Sequence, residues 1–337
     1  MGLDIDKILD APKEEIEQND LKRLKELGIL SENIYLFDTL EQPGKHHWIK
    51  KCEYDGQPFF IFNYFSFSFD PNLKNHIDLK KYLQSDEPNI ILQNCNIENQ
   101  KDIKDLNKIK QAIIATNSEF PNISSCEFLK EVYVEGHACF HSCTFNNDFV
   151  SKNAKQDISF TRSIFNKSFT LSTEKELGEV KFEATHFKQK FTMDIRKFSV
   201  LYFSCAEFDC ELALDAREFN GTKIDFTKAM FKQKVSFHRS IFNCEMLFKE
   251  ACFEDSLIFT KAKFNDVVNL SKVVFKEEVH FHGTKFNKAI ISETNFENKA
   301  DFSNATFNEK AYFRNTIFTK TAKLNNILFK NNAYFKN

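Results

Sequence analysis

Phenylalanine recurs in this chain at a fixed beat. From Val180 onward, bulky residues come in pairs spaced five apart, and the pairs repeat about every eleven residues. The second member of each pair is Phe fourteen times in succession: Phe187, Phe198, Phe208, Phe219, Phe231, Phe242, Phe253, Phe264, Phe275, Phe286, Phe296, Phe307, Phe318 and Phe329. The steps between them are 10, 11 or 12 residues. Self-similarity at a short fixed period is the signature of a solenoid, in which each unit buries its apolar side against the next. It speaks strongly about architecture and hardly at all about reaction chemistry.

Composition narrows the class further. Only 8 Gly and 6 Pro occur in 337 residues, which excludes a collagen-like or flexible low-complexity chain. No uninterrupted apolar run has membrane-spanning length, and the start lacks a charged-then-apolar secretion signal. The most apolar stretch, QPFFIFNYFSFSF at 57–69, is interrupted by Asn63, Ser66 and Ser68. A soluble, cytoplasmic protein is expected. The nine cysteines include no CxxC, and the closest pairs, Cys139/Cys143 and Cys205/Cys210, have no histidine cluster at zinc spacing. Cys126 and Cys143 each stand two residues before a Phe, where small core residues belong. Free, buried thiols are expected.

The chain divides into an α+β cap region at 1–89, first repeat-like strands with a helical insertion at 90–125, and the repeat array at 126–337. In the cap, Asp10 and Pro12 are placed to start a helix whose apolar residues are Ile16, Leu21, Leu24 and Leu27, with Gly28 ending it. Asp55-Gly56 between two β-prone runs predicts a hairpin with a tight primed turn. Phe65, Phe67 and Phe69 alternate with serine as in a half-buried strand. Leu92 and Ile97 begin the repeat. Ile103, Leu106, Ile109 and Ile113 then have helical spacing.

The array from about Cys126 to Asn337 resembles the pentapeptide-repeat family in a variant with paired Phe steps. ADFSNATF at 300–307 is close to that family's A-(D/N)-(L/F)-x-x pattern. The resemblance implies an all-β solenoid, a right-handed quadrilateral parallel β-helix, with each five-residue step forming one side. The departure is the extra residue per ten, which should bulge a corner in every half coil. In such a fold the third residue of each step points inward, and the first points inward too but has less room. Neighbouring coils lie ~4.8 Å apart, so like side chains stack over one another. Alternate units then give two ladders, one from Phe187 through Phe208 to Phe318 and one from Phe198 through Phe219 to Phe329. The first residue of each unit is large up to Val279 and is alanine at Ala289, Ala300, Ala311, Ala322 and Ala333. A change of corner geometry near residue 285 is expected.

No catalytic, cofactor or metal site emerges. There is no P-loop, no Rossmann glycine pattern and no GxSxG motif. His280 and His282 flank Phe281, and His46 adjoins His47, but no acidic or cysteine ladder accompanies them. Two stretches, MDIRKF and LDAREF, put Arg196 and Arg217 where a small inward residue is expected, with Asp194 and Asp215 beside them. Unpaired arginines in a Phe core are too costly, so a bulge should turn them outward against the aspartates, and these four residues form a candidate partner contact. The aromatic steps at Phe329 and Phe335 form a candidate end-to-end interface, either for a second copy of the chain or for a continuation of it. Function is read as a non-enzymatic protein–protein interaction scaffold. Some proteins of this family mimic DNA and occupy a topoisomerase, which needs a strongly acidic surface. Residues 180–337 carry 25 Lys and Arg against 19 Asp and Glu, which disfavours mimicry. With no outward stacking aromatic, nucleic-acid binding is not expected either. The soluble portion of a membrane-associated family member is the remaining alternative.

Overall fold

The computed structural model describes residues 5–27, 29, 48–63, 66–68, 77–97, 106–116, 118, 122–136, 138–215 and 217–335. Gly28, His46, His47, Phe65, Phe69 and Ile103 lie outside the described residues. Two compact units are present: Met1–Ala154 with Phe165–Thr170, and Lys155–Ile164 with Leu171–Asn337. The fold is a parallel β-solenoid with few helices.

The first unit grows from a hairpin. Trp48–Tyr54 and Gln57–Asn63 pair antiparallel, and Asp55 and Gly56 between them have φ of 50° and 70°. Positive φ at both central residues is the primed turn expected of Asp-Gly. The second hairpin strand then takes a parallel neighbour, Asn89–Gln93, which is followed by Ile113–Thr116, Val132–Glu135 and Phe149–Lys152. The outer strand is closed off by the two-residue strand Glu14–Glu15. The helix Ile5–Asp10 sends Ile8 into a cluster with Cys52, Phe59, Ile61, Ile91 and Ile114. A short, charged last strand is a common way to blunt a sheet edge.

Two local readings need correction. The helix expected to start at Asp10 starts at Gln18 and runs to Glu26, with Glu17 at its cap position and no side-chain cap. Glu14 and Glu15 instead lie in register with Lys51 and Lys50, and Lys50 and Lys51 form ion pairs with Glu15 at 3.0 Å and Glu17 at 2.7 Å. Strand pairing with opposite charges across it has overridden a local helix start. Leu27, expected in the core, is exposed. The described part of the second helical reading is also strand: Lys108–Ile109 and Ile113–Thr116 pair with Glu127–Phe128 and Val132–Glu135. Ile109 and Ile113 are four apart because they sit on successive sides of a coil, a spacing that a helix shares.

In the second unit, four parallel ladders surround the core. One contains His186–Phe187, Glu207–Phe208, Met230–Phe231, Cys252–Phe253, Val274–Phe275, Asn295–Phe296 and Ile317–Phe318. The next runs from Leu212–Ala213 to Ala322–Lys323, the third from Glu218–Phe219 to Leu328–Phe329, and the fourth from Phe198–Tyr202 to Ala333–Tyr334. Rings of the first ladder stack at 4.6 to 5.2 Å from Phe187 to Phe318. The other expected stack holds from Phe219 to Phe329, at 4.7 to 5.4 Å.

Phe198 does not belong to that stack. Leu177 pairs with Phe198, and the bridge between Lys197 and Asn220 brings Phe198 level with Gly221 rather than Phe219. The twelve-residue unit LALDAREFNGTK supplies the offset. Gly221 is where the Phe198 ring lies: an added Cβ would come within 2.2 Å of that ring and 2.8 Å of the Phe198 carbonyl oxygen.

Each pair of Phe steps is joined by a tight turn. The amide of Ala206 donates to the Phe203 carbonyl, and Ala229, Ala251, Ala262 and Ala305 repeat this bond. The residue before the donor is left-handed in each case: Cys205, Lys228, Glu250, Lys261 and Asn304 have φ between 57° and 60°. Where the inward residue after the turn is Ser or Thr, its hydroxyl donates to a carbonyl one coil earlier, as from Thr284 to Phe259 at 2.7 Å and from Thr294 to Leu270 at 2.6 Å. The buried hydroxyls are thereby satisfied. Near residue 285 the corner does change: Phe264 pairs with Phe286 and Val267 with Lys288, a register shift that removes one residue from the later corner.

Two substitutions test this packing. Phe253 is fully buried between Phe231 and Phe275, so Phe253→Ala should cost roughly 3–5 kcal/mol in chemical denaturation. Gly221→Ala should cost about 1–3 kcal/mol, the usual range for overpacking. An unchanged midpoint for Gly221→Ala would refute the placement of the Phe198 ring.

Candidate functional site

The described inward positions of the second unit are held mostly by Phe and other apolar side chains, so its charged groups stand on the outward rows. Two rows lie at the left-handed turns. On one, Lys228, Glu250, Lys272 and Glu293 alternate in sign along successive coils, with Lys228–Glu250 and Lys272–Glu293 each at 3.6 Å. On the other, the corresponding residues are Arg239, Lys261, Gly283 and Asn304. Two residues after Lys261, Lys263 stands directly opposite Lys285 in the ladder. Arg239, Lys261, Lys263 and Lys285 are exposed, and among the described residues none forms an ion pair. Like charges opposed across paired strands destabilise the pairing.

The acids bordering this basic row are already engaged. Asp215, one coil before it, accepts from the Ser236 hydroxyl at 2.5 Å and the His238 amide at 2.8 Å. Asp301, one coil beyond it, accepts from the amide and hydroxyl of Ser303. Burial pushes the Asp301 carboxyl up, but those bonds outweigh it and hold the group below the ordinary carboxylate range.

Of the expected contact residues, Arg217 and Asp194 meet: Nη1 lies 2.5 Å from Oδ1. Arg196 is exposed and Arg217 half-buried, so neither enters the core. The arginines do not stack on each other. The bridge between Lys197 and Asn220 sets an offset of 23 residues here, which carries Arg217 over Asp194 instead. Asp215 pairs with neither arginine in the bonds found for it. At the other expected surface, Phe329 stacks on Phe307 at 4.9 Å and Phe335 on Phe313 at 5.0 Å. Phe335 is 58% exposed, and Ile317, Leu324 and Leu328 are exposed with it.

A network the sequence reading missed joins His186, Glu207, Asp209 and Lys232. His186 Nε2 is 2.7 Å from Asp209 Oδ2 and 3.9 Å from Glu207 Oε1. The Lys232 ammonium lies against Glu207 and 2.9 Å from Asp209 Oδ1. Burial raises the Asp209 carboxyl, but bonds from Lys232 and His186 prevail and leave it below its usual range. Contact with Glu207 and then Asp209 raises Lys232. The three potential ligand atoms lie within 4.8 Å of one another, with a lysine supplying the cation. The signal was available in the coil period, since His186 and Glu207 are in register.

All nine cysteines are free thiols. Burial pushes Cys126, Cys143 and Cys244 up to about 12, whereas Cys205 is exposed at a left-handed corner.

The second unit therefore defines a class, a parallel β-helix of stacked phenylalanine coils. A family model of pentapeptide repeats matches residues 291–337 in nine copies, and the match supports a pentapeptide-repeat protein. No curated protein and no solved structure matches the chain.

Two outcomes follow from these surfaces. Arg217→Ala should shift stability by under ~1 kcal/mol, as for an exposed pair; a loss of several kcal/mol in urea unfolding would show a buried, essential charge. A thiol reagent at pH 7.5 should label Cys205 in the native protein and reach Cys126, Cys143 and Cys244 only on unfolding. A rapid native phase that survives Cys205→Ser would contradict this assignment.

Proposed function

We propose that the chain is a cytoplasmic, non-enzymatic scaffold that binds an acidic segment of a partner protein. The observation that carries this reading is the basic group Arg239, Lys261, Lys263 and Lys285, without an ion pair among the described residues, whereas the charges along the turn row of Lys228 alternate in sign. Four cations gathered on two or three coils cost folding energy through mutual repulsion, and an anionic partner would relieve it. The footprint is short. A duplex-DNA site with about six to ten phosphate contacts would need more cations than this patch supplies. No helix among the described residues is long and apolar enough to cross a membrane. Of the four residues Asp194, Arg196, Asp215 and Arg217 on the preceding coils, the exposed Arg196 would extend the contact, because Arg217 is paired with Asp194. The exposed ring of Phe335, with the half-buried Phe329 beside it, would add self-association.

The test is fluorescence anisotropy with an oligo-glutamate peptide and with a duplex DNA of equal charge. The peptide should bind the full chain saturably. Lys261→Glu with Lys285→Glu should abolish binding at an unchanged melting temperature, and Lys228→Glu with Lys272→Glu should not. Tighter binding of the duplex, or equal loss in both variants, would overturn the reading.

A further inference from the structure

The first unit contains a polar recess of about 460 Å³. Its walls come from the helix Gln18–Glu26, from the hairpin at Pro58, and from coil residues at 86–89, 110–111 and 130. Three cations and two carboxylates line it. Arg23 is bound to Glu87 at 2.8 Å and Lys110 to Asp86 at 2.7 Å. Lys130 is different. Its ammonium donates to Asn89 Oδ1 at 3.0 Å and Gln57 Oε1 at 3.4 Å, both neutral oxygens. The lining thus keeps one uncancelled positive charge, on Lys130.

Gln111 supplies a second, independent demand. It is 2% exposed. Its Nε2 donates to the carbonyls of Ser85 at 2.7 Å and Glu87 at 3.3 Å. Those two acceptors fix the amide's orientation, because the reverse would set oxygen against oxygen. Oε1 is then a buried acceptor with no donor among the described residues, a costly state in a folded protein. The surroundings are firmly built: Asn89, also 2% exposed, accepts from the Ala112 amide at 2.9 Å and donates to Gln57 at 3.1 Å.

We infer that this recess binds a small organic anion with one carboxylate and a neutral hydroxyl, a hydroxycarboxylate or sugar acid. The carboxylate answers Lys130, and the hydroxyl donates to Gln111 Oε1. Charge decides between related classes. A zwitterionic amino acid leaves the Lys130 charge uncancelled and brings an ammonium among Arg23 and Lys110. A polyol satisfies Gln111 but not Lys130. A water molecule does the same. The volume lies within the ordinary range of small-molecule sites, ~300–1,000 Å³. The inference is independent of the acidic-partner reading, since it concerns the other unit.

Calorimetry on the full chain tests it, with glycerate and gluconate as hydroxycarboxylates, propionate lacking the hydroxyl, glycerol lacking the carboxylate, and alanine as zwitterion. At least one hydroxycarboxylate should bind about tenfold or more tighter than the other three probes. Lys130→Gln, which keeps donors toward Asn89 but removes the charge, should weaken it by about tenfold or more at an unchanged circular dichroism spectrum. Lys130→Arg should retain binding and serves as the check where Lys130→Gln perturbs the fold. A crystal soaked in glycerate should place its carboxylate on Lys130 Nζ. Absence of binding at millimolar concentration, preference for alanine or propionate, binding indifferent to Lys130→Gln, or water alone in the recess would each overturn the inference.

Discussion

Register between parallel strands is the constraint on which the second unit depends. Each backbone ladder holds a residue directly over its counterpart one coil earlier, about 4.8 Å away. That distance suits the stacking of flat rings, and the interplanar angles from Phe187 to Phe318 stay between 6° and 21°. Hydrogen bonds and ring contacts therefore specify the same alignment. A slip of one residue would turn the whole inward row to solvent. The offset at Phe198 shows how the fold absorbs a unit of the wrong length. Phe198 comes level with Gly221, two residues past Phe219, the glycine leaves space for the displaced ring, and ring stacking on that side starts at Phe219.

The same alignment governs the surface. Outward residues one coil apart are neighbours, so charges that are distant in sequence act as pairs. Alternation of Lys and Glu along one turn row gives ion pairs, whereas Arg239 and Lys261 on another, with Lys263 and Lys285 nearby, have no ion pair among the described residues. The His186, Glu207, Asp209 and Lys232 network arises in the same way. Single exposed pairs contribute little to stability. Their positions therefore shape the charge pattern of the second unit more than they hold it together.

How much could be read beforehand follows from whether a signal was periodic. Except at Phe198, the Phe ladders were legible because inward position, ring type and coil length all repeat. The start of the second helix was not. Asp10, Pro12 and the apolar spacing through Leu27 describe a helix locally, whereas Glu14 and Glu15 are claimed by Lys50 and Lys51, some 36 residues away in sequence. Ile109 and Ile113 misled for a related reason, since successive coil sides and successive helical turns both give a spacing of four. The matched repeats at 291–337 begin where alanine replaces larger residues in register, as Ala300 replaces Val279. Upstream coils keep the architecture with Val, Leu and Met at that position, so the sequence pattern fades while the backbone persists. The recess at Lys130 had no sequence signal, because its lining comes from segments whose proximity only the folded first unit creates.

The left-handed corner residues have a consequence of their own. Lys228, Arg239, Glu250, Lys261, Lys272 and Glu293 occupy a conformation in which glycine or asparagine would be more comfortable. Their side chains project away from the rings, and the backbone bonds that define each corner involve none of their side-chain atoms. Such a site can change its charge without disturbing a single stacked aromatic. The corners thus form a row of independently rewritable characters at a regular pitch, and descendants of one rod could diverge in what they recognise while inheriting an unaltered interior.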